Sequence, residues 1–189
     1  QAIETVARYA NVQLIDFHEP LYRYPFMLPD AVHPTVEGAG ILAGVVYSAI
    51  TGDYGGLRLS EIYSDNMVLQ CGCPLDIHGV ADAGEKVTVS IAGQTESAKA
   101  GANGKWAVCL KPLQPGGPHT LTVSTGKRRL HFENVLVGEV WLCSGQSNME
   151  FMMKEGVDGK VDIPQSGNAG IRLFDMKARW RTNAVKWDA

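Results

Sequence analysis

The chain has 189 residues, 45% of them hydrophobic and 20% charged, with 17 Lys and Arg against 20 Asp and Glu for a formal net charge of −3. That length supports one to two domains at about 100–200 residues each, and a mean hydropathy of −0.07 excludes a disordered acidic tail or a fibrous repeat. A pI near 5.9, with basic residues clustered only at Lys127-Arg128-Arg129, excludes a nucleic-acid partner; no apolar run approaches the roughly 20 residues that cross a bilayer, which excludes a membrane-spanning protein.

Ala2, Ile3, Val6, Ala7 and Tyr9 fall at helical spacing, and Val12 to Asp16 predicts a short buried strand. Helix followed by strand, with no signal peptide ahead of it, implies that the chain starts inside an α/β unit. Tyr22 to Pro29 is aromatic and punctuated by proline, hence a loop. Pro34 to Glu37 suits a helix opening, and the apolar stretch Ala39 to Ile50 predicts a helix packed on a sheet. Thr51 to Gly56 ends that helix and predicts a hinge or linker.

Beyond Gly56 the periodicity changes to two. Lys86 to Ile91 alternates strictly, Trp106, Val108 and Leu110 recur at every second position, and Leu121 with Val123 and Leu130 with Phe132 do the same. Between these runs stand turn signals: Asp82-Ala83-Gly84, Ala92-Gly93, Asn103-Gly104 and Pro115-Gly116-Gly117-Pro118. Short strands with turns about 8–12 residues apart predict an antiparallel β-sandwich, because each strand buries one face and wets the other. Val135 to Cys143 is then an apolar run broken only by Gly138-Glu139, and its second half predicts a strand buried on both faces. Met149, Phe151 and Met152 suit a helix start, and Ile171 to Phe174 a further short strand. The whole predicts a mixed fold, a central antiparallel β-sandwich flanked by incomplete α/β pieces, with boundaries at 1–54, 55–140 and 141–189.

Four cysteines are present: Cys71, Cys73, Cys109 and Cys143. Cys71-Gly72-Cys73 has no second pair and no His at zinc-finger spacing, so no metal and no cofactor is expected. Cys109 and Cys143 sit in apolar strand patterns and are expected as small buried hydrophobes.

Two blocks carry candidate chemistry. In Gly145-Gln146-Ser147-Asn148-Met149 a serine follows a predicted buried strand, at the edge of an α/β sheet where ligands bind. Such a hydroxyl attacks a carbonyl when a base takes its proton and backbone N–H groups receive the oxyanion; the same pattern also describes a turn serine capping a following helix. In Asp30-Ala31-Val32-His33-Pro34 a carboxylate and an imidazole three residues apart on a turn can bond each other, leaving the second ring nitrogen as a base. An ordinary turn, with Asp30 or Thr35 capping the helix, is the plainer reading. His18, His78, His119 and His131 have no motif around them, and Glu139 and Glu150 read as solvated or capping charges.

Leu57-Arg58-Leu59, Asp65-Asn66-Met67-Val68-Leu69-Gln70, Gly84 to Val89, Gly104-Lys105-Trp106, Gly116-Gly117-Pro118 and Val137 to Glu150 resemble the amino-terminal region of sialate O-acetylesterases. The resemblance covers about half to two-thirds of the sequence, and in that family a β-sandwich precedes a serine esterase domain of the SGNH hydrolase (flavodoxin-like) type. It implies that Ser147, not Ser144, is the nucleophile, with Gly145, Gln146 and Asn148 forming the loop around it and the Ser147 N–H serving the oxyanion hole. Asp30 to Pro34 with Gly38 resembles the carboxyl-terminal block of a different SGNH domain, which implies His33 as general base and Asp30 as its orienting partner.

SGNH domains run nucleophile first and Asp-x-x-His last; here the order is reversed across a sandwich. The economical expectation is a tandem arrangement, the tail of one esterase (1–54), the sandwich (55–140) and the head of a second (141–189). Only 42 residues follow Ser147, and Asp158, Asp162, Asp175 and Asp188 are not followed three residues later by His. The expected activity is that of a serine carboxylic-ester hydrolase acting on acetylated carbohydrate, sialate or a related glycan, secreted or periplasmic by family, and inactive in this isolated piece. A permuted or dimeric meeting of His33 with Ser147 is the variant. A non-catalytic scaffold or glycan-binding module is the competing class, against which Trp106, alternating with Val108 and Leu110, reads as core.

Overall fold

The computed structural model describes residues 2–22, 24–30, 32–145, 149, 151–174 and 187–188. Among these, helices occupy Ala2–Ala10 (α1), His18–Tyr22 (α2), Val36–Thr51 (α3) and Gly159–Asp162 (α4), with single 3-10 turns at Pro25–Met27, Met153–Glu155 and Ile163–Gln165. The strands are Arg58–Leu59 (β1), Val68–Gln70 (β2), Leu75–Val80 (β3), Lys86–Ile91 (β4), Gln94–Lys99 (β5), Lys105–Leu110 (β6), Gly116–Ser124 (β7), Arg129–Gly138 (β8), Leu173–Phe174 (β9) and Trp187–Asp188 (β10).

Alternation organises the centre. β4 buries Val87, Val89 and Ile91 while Thr88 and Ser90 face outward; β6 buries Trp106, Val108 and Leu110. A strand with one apolar face must cover it, and here two sheets do so together. One has the order β1-β3-β6 and the other β2-β8-β7-β4-β5. Leu75 and Ile77 of the first and Leu121, Val123, Val135 and Val137 of the second belong to one apolar cluster centred near Trp106.

Two features of these sheets differ from the sequence reading. The five-stranded sheet is not wholly antiparallel: β2 runs parallel to β8, Val68 beside Leu136 and Gln70 beside Gly138. The Gly116-Gly117-Pro118 stretch, expected as a turn, opens β7, where the ladder to β8 is interrupted by register shifts. Cys109 is exposed, not buried. Its neighbours Val108 and Leu110 take the inward positions of β6, so the pleat turns Cys109 to the solvent face.

The flanks depart further. α1 forms as expected and buries Ala7, but Val12 to Asp16 is not a strand, and Val12 and Leu14 are exposed. A parallel strand needs a neighbour's ladder and a covering layer, and among the described residues no strand forms a ladder with it. α3 forms almost where expected yet buries only Gly38, with Val36, Tyr47 and Ile50 exposed, so it is not packed on a sheet. Val140 to Cys143 likewise pairs with no strand among the described residues. Trp141 is 81% and Leu142 92% exposed, and Cys143 is exposed with them. Of the residues expected to start a helix, Phe151 and Met152 are not helical; a 3-10 turn and the four-residue α4 follow instead. The expected strand at Ile171 to Phe174 shortens to β9, antiparallel to β10. Among the described residues no helix is long and apolar enough to cross a membrane.

The stretch 52–56, read as a hinge, is fastened. Gly52 closes α3 in the left-handed conformation, φ 74°, its N–H bonded to Ser48 O at 2.8 Å, and its carbonyl accepts from Ala83 N at 2.9 Å. Asp82 Oδ1 accepts from both Tyr54 N and Gly56 N at 3.0 Å. The Tyr54 ring lies against Gly104, where an added Cβ would come within 2.5 Å of it, and its hydroxyl donates to Ala102 O at 2.8 Å. Lys127 Nζ stands 3.5 Å from Asp82 and 3.1 Å from Glu85. The turns before β4 and before β6 thus grip the connector from two sides.

Asp82 is held below the usual carboxylate range, first by the Gly56 N–H, then by the Tyr54 N–H, with Lys127 adding to both. Its stabilising contribution is therefore complete above the unfolded carboxyl value of about 3.9 and is lost as pH falls through the lower folded value. Asp82→Ala is expected to melt several degrees below the parent at pH 7, with the gap closing as pH falls below about 4. Thermal melts by circular dichroism across pH 2.5–7 check this, and a gap constant with pH would contradict it.

Candidate active site

The Asp30–His33 turn is built by the residues on either side of it. Pro25–Met27 forms a 3-10 turn, and Met27 O accepts from Thr35 N at 2.8 Å, which closes a loop over residues 28–34. Thr35, extended at φ −61° and ψ 173°, caps α3 by accepting from Gly38 N at 3.2 Å. Gly38 is required by close approach: a Cβ there would stand 3.1 Å from Met27 O and 3.2 Å from Pro34 Cβ.

Within this loop one carboxylate does three things. Asp30 Oδ1 accepts from Val32 N at 3.0 Å and from His33 N at 2.7 Å, while Oδ2 lies 2.6 Å from His33 Nδ1. These bonds, the His33 N–H first and its ring second, pull the Asp30 carboxyl down to about 2. At neutral pH the carboxylate is ionised, so the shared proton belongs to Nδ1; in the neutral form of the ring this is the tautomer that leaves the lone pair on Nε2. The ring is 81% exposed. The two residues therefore hold the tautomer and orientation that a general base needs, at the surface, facing outward.

The serine block presents less. Gln146, Ser147 and Asn148 lie outside the described residues. Gly145, just before them, is exposed, and a Cβ on it would come within 2.6 Å of Met149 Cγ, so a side chain there would displace that of Met149. Upstream, Val140 N donates to Gln70 Oε1 at 2.8 Å where the chain leaves β8. The structure thus brings Asp30 and His33 together. Among the described residues it places no hydrogen bond or ion pair between their loop and the segment 139–145.

The remaining histidines fit the plain reading. His78 is exposed with Nδ1 3.3 Å from the Tyr63 hydroxyl, His131 is exposed with Nδ1 3.2 Å from Thr122 Oγ1, His18 is exposed and His119 half-buried. The four cysteines are free. Trp106 lies in the core and offers no sugar-stacking face. Sequence reasoning missed what holds the loop: the Met27–Thr35 bond leaves no residue-type signature, although Gly38 three residues after Thr35 was the trace of it.

Comparison with profiles of known protein families finds no match. Among curated proteins, the sialate O-acetylesterase of Rattus norvegicus is 35% identical over 135 residues, 64% of this chain and 24% of that protein. The sialate O-acetylesterase of Mus musculus is 36% identical over 136 residues, 64% and 25% of the two chains, and that of Homo sapiens 36% over 109 residues, 50% and 20%. Among solved structures, a carbohydrate acetylesterase from Xanthomonas citri superposes with a TM-score of 0.63 at 31% identity, over 70% of this chain and 32% of its own. The chain spans about a quarter of the length of the curated relatives it matches.

The Asp30 geometry gives a measurable expectation. In the parent, the Asp30 side-chain carboxyl should titrate near 2; in His33→Ala, which keeps the backbone N–H donors and loses the ring, it should move up toward but not reach 3.9. Carbon-detected NMR titration reads this, and an unmoved midpoint would remove the ring–carboxylate bond from the account. In sequence, then, this chain is similar to sialate O-acetylesterases, and in fold to a carbohydrate acetylesterase of known structure.

Proposed function

We propose that the chain is the junction of a carbohydrate O-acetylesterase, joining the acid–base end of one SGNH hydrolase domain (1–54) through a β-sandwich (55–140) to the nucleophile end of a second (141–189). The observation that carries the reading is the similarity to sialate O-acetylesterases over 64% of the chain. The Asp30–His33 pair at 2.6 Å supports it independently, because an imidazole held by a carboxylate is the acid–base half that the reading assigns to 1–54. The sandwich assignment is supported by two sheets sharing one apolar cluster.

The chemistry follows from the residue types. Ser147 Oγ attacks the acetyl carbonyl carbon while a histidine takes its proton; the tetrahedral oxyanion rests on backbone N–H groups, that of Ser147 among them. Collapse returns the proton to the leaving sugar oxygen, and water then releases acetate from the acetyl-serine. In this reading His33, held by Asp30, performs the proton steps for the serine of the preceding domain, and Ser147 depends on an Asp-x-x-His block of the following one. Neither site needs a metal or cofactor for these steps, and the substrate class is acetylated sugar.

The 189-residue chain alone should hydrolyse aryl acetates no faster than buffer. A coding sequence with a Gly-Asp-Ser-like block upstream and an Asp-x-x-His block downstream is expected, and the protein spanning both should carry two independent activities. Ser147→Ala or His33→Ala should each leave the other domain's turnover, and the double variant should lose at least about a hundredfold. Robust hydrolysis by the isolated chain, abolished by either single variant, would instead place His33 and Ser147 in one site.

A further inference from the structure

The sequence Asp65-Asn66-Met67-Val68-Leu69-Gln70 has no role in the chemistry above, yet each of its polar side chains bonds to β8 or to the residue two beyond its end. Asp65 Oδ1 accepts from Glu133 N at 2.7 Å, Asn66 Oδ1 accepts from Asn134 Nδ2 at 2.8 Å, and Gln70 Oε1 accepts from Val140 N at 2.8 Å. The backbone repeats the pattern, with Asn66 N bonded to Glu133 O, Leu136 N to Met67 O and Cys71 N to Gly138 O, at 2.9–3.0 Å. Met67 and Leu69, between the polar residues, point into the core.

The contacts fall at two places on β8. One is a bulge: Leu121 pairs with Phe132 and His119 with Val135, so Glu133 and Asn134 together oppose Thr120, and Asn134 takes a left-handed φ of 53°. Asn66, at φ 67°, meets it. The other is Val140, where the chain leaves the sheet. A third segment closes on the first place: Arg172 Nη2 donates to Asn134 Oδ1 at 2.9 Å and Nη1 to Asn134 O. Beside the longer ladder of β8 to β7, the three-residue parallel ladder to β2 is a short grip, and a slip of one residue would turn every side chain of β2 to the opposite face. Side-chain bonds at both ends remove that freedom.

We propose that Asp65, Asn66 and Gln70 are positioning residues: they fix the register of β2 against β8 and fasten the point at which the chain departs toward Ser147. What they position rests on the reading of Ser147 as nucleophile; the clamp itself does not. Gln70 is its working end, since it holds the Val140 amide, the second beyond the ladder.

Amide hydrogen exchange on the 189-residue chain tests it. Gln70→Leu should speed exchange of the Val140 amide by roughly five- to tenfold, the worth of one hydrogen bond, while Val89 and Val123 keep their protection. Gln70→Glu retains the oxygen acceptor and should restore Val140. A second readout places spin labels at Cys143 and at a Thr95→Cys site on β5, the other three cysteines replaced by serine. A narrow distance distribution is expected for the parent and for Gln70→Glu, and a broad one for Gln70→Leu. Unchanged Val140 exchange in Gln70→Leu, no rescue by Gln70→Glu, or loss of protection spread evenly through the sheets would each overturn the proposal. Because both readouts are taken on the backbone, and not on turnover, they are separable from any failure of the esterase reading.

Discussion

The burial of one apolar face against another is the constraint on which the rest of the structure depends. Each sheet alternates, so each alone would leave a continuous hydrophobic surface in water; facing each other, they close it into a single cluster from Leu57 to Val137. Among the described residues no polar or charged side chain is buried in that cluster. The core therefore supplies cohesion without dictating fine position, since apolar contact is non-directional. Position comes from directed bonds at the rim: Asp82 for the connector, and Asp65, Asn66 and Gln70 for β8.

This division of labour explains where the chemistry lies. The Asp30–His33 turn is not part of the core at all. It hangs on a backbone bond from Met27 to Thr35 and on the capped start of α3, and α3 in turn is tied to the sheets through Gly52 to Gly56. At the other end, the segment leading to Ser147 begins where Gln70 releases Val140. The two blocks are thus fastened to the shared support at different places, one through the turn before β4 and the other at the exit of β8.

How much of this was legible in the sequence follows the same line. β4, β6 and the inner ends of β7 and β8 could be read because a buried face imposes strict alternation. β5 could not: as an edge strand with both faces wet apart from Ala98, Gln94–Lys99 shows no apolar period. Apolar runs misled at Val12 to Asp16 and at Val140 to Cys143, because hydrophobicity states a demand for a partner and not whether one is present. The Asp30–His33 bond was legible since its span is local. The Asp65–Glu133 and Gln70–Val140 bonds, 68 and 70 residues apart in sequence, were not. Nor was the connector: its glycines suggested looseness, whereas Gly52 and Gly104 use their conformational freedom to let backbone and ring approach closely.

The tyrosine seated on Gly104 has a consequence for anyone who treats the parts as interchangeable. A chimaera spliced between Thr51 and Leu57 would separate the ring from its seat and the two amides from their shared carboxylate, even if every helix and strand were left whole. The natural places to cut are outside that stretch, and the helical segment and the sheets it is tied to through residues 52–56 are best inherited together.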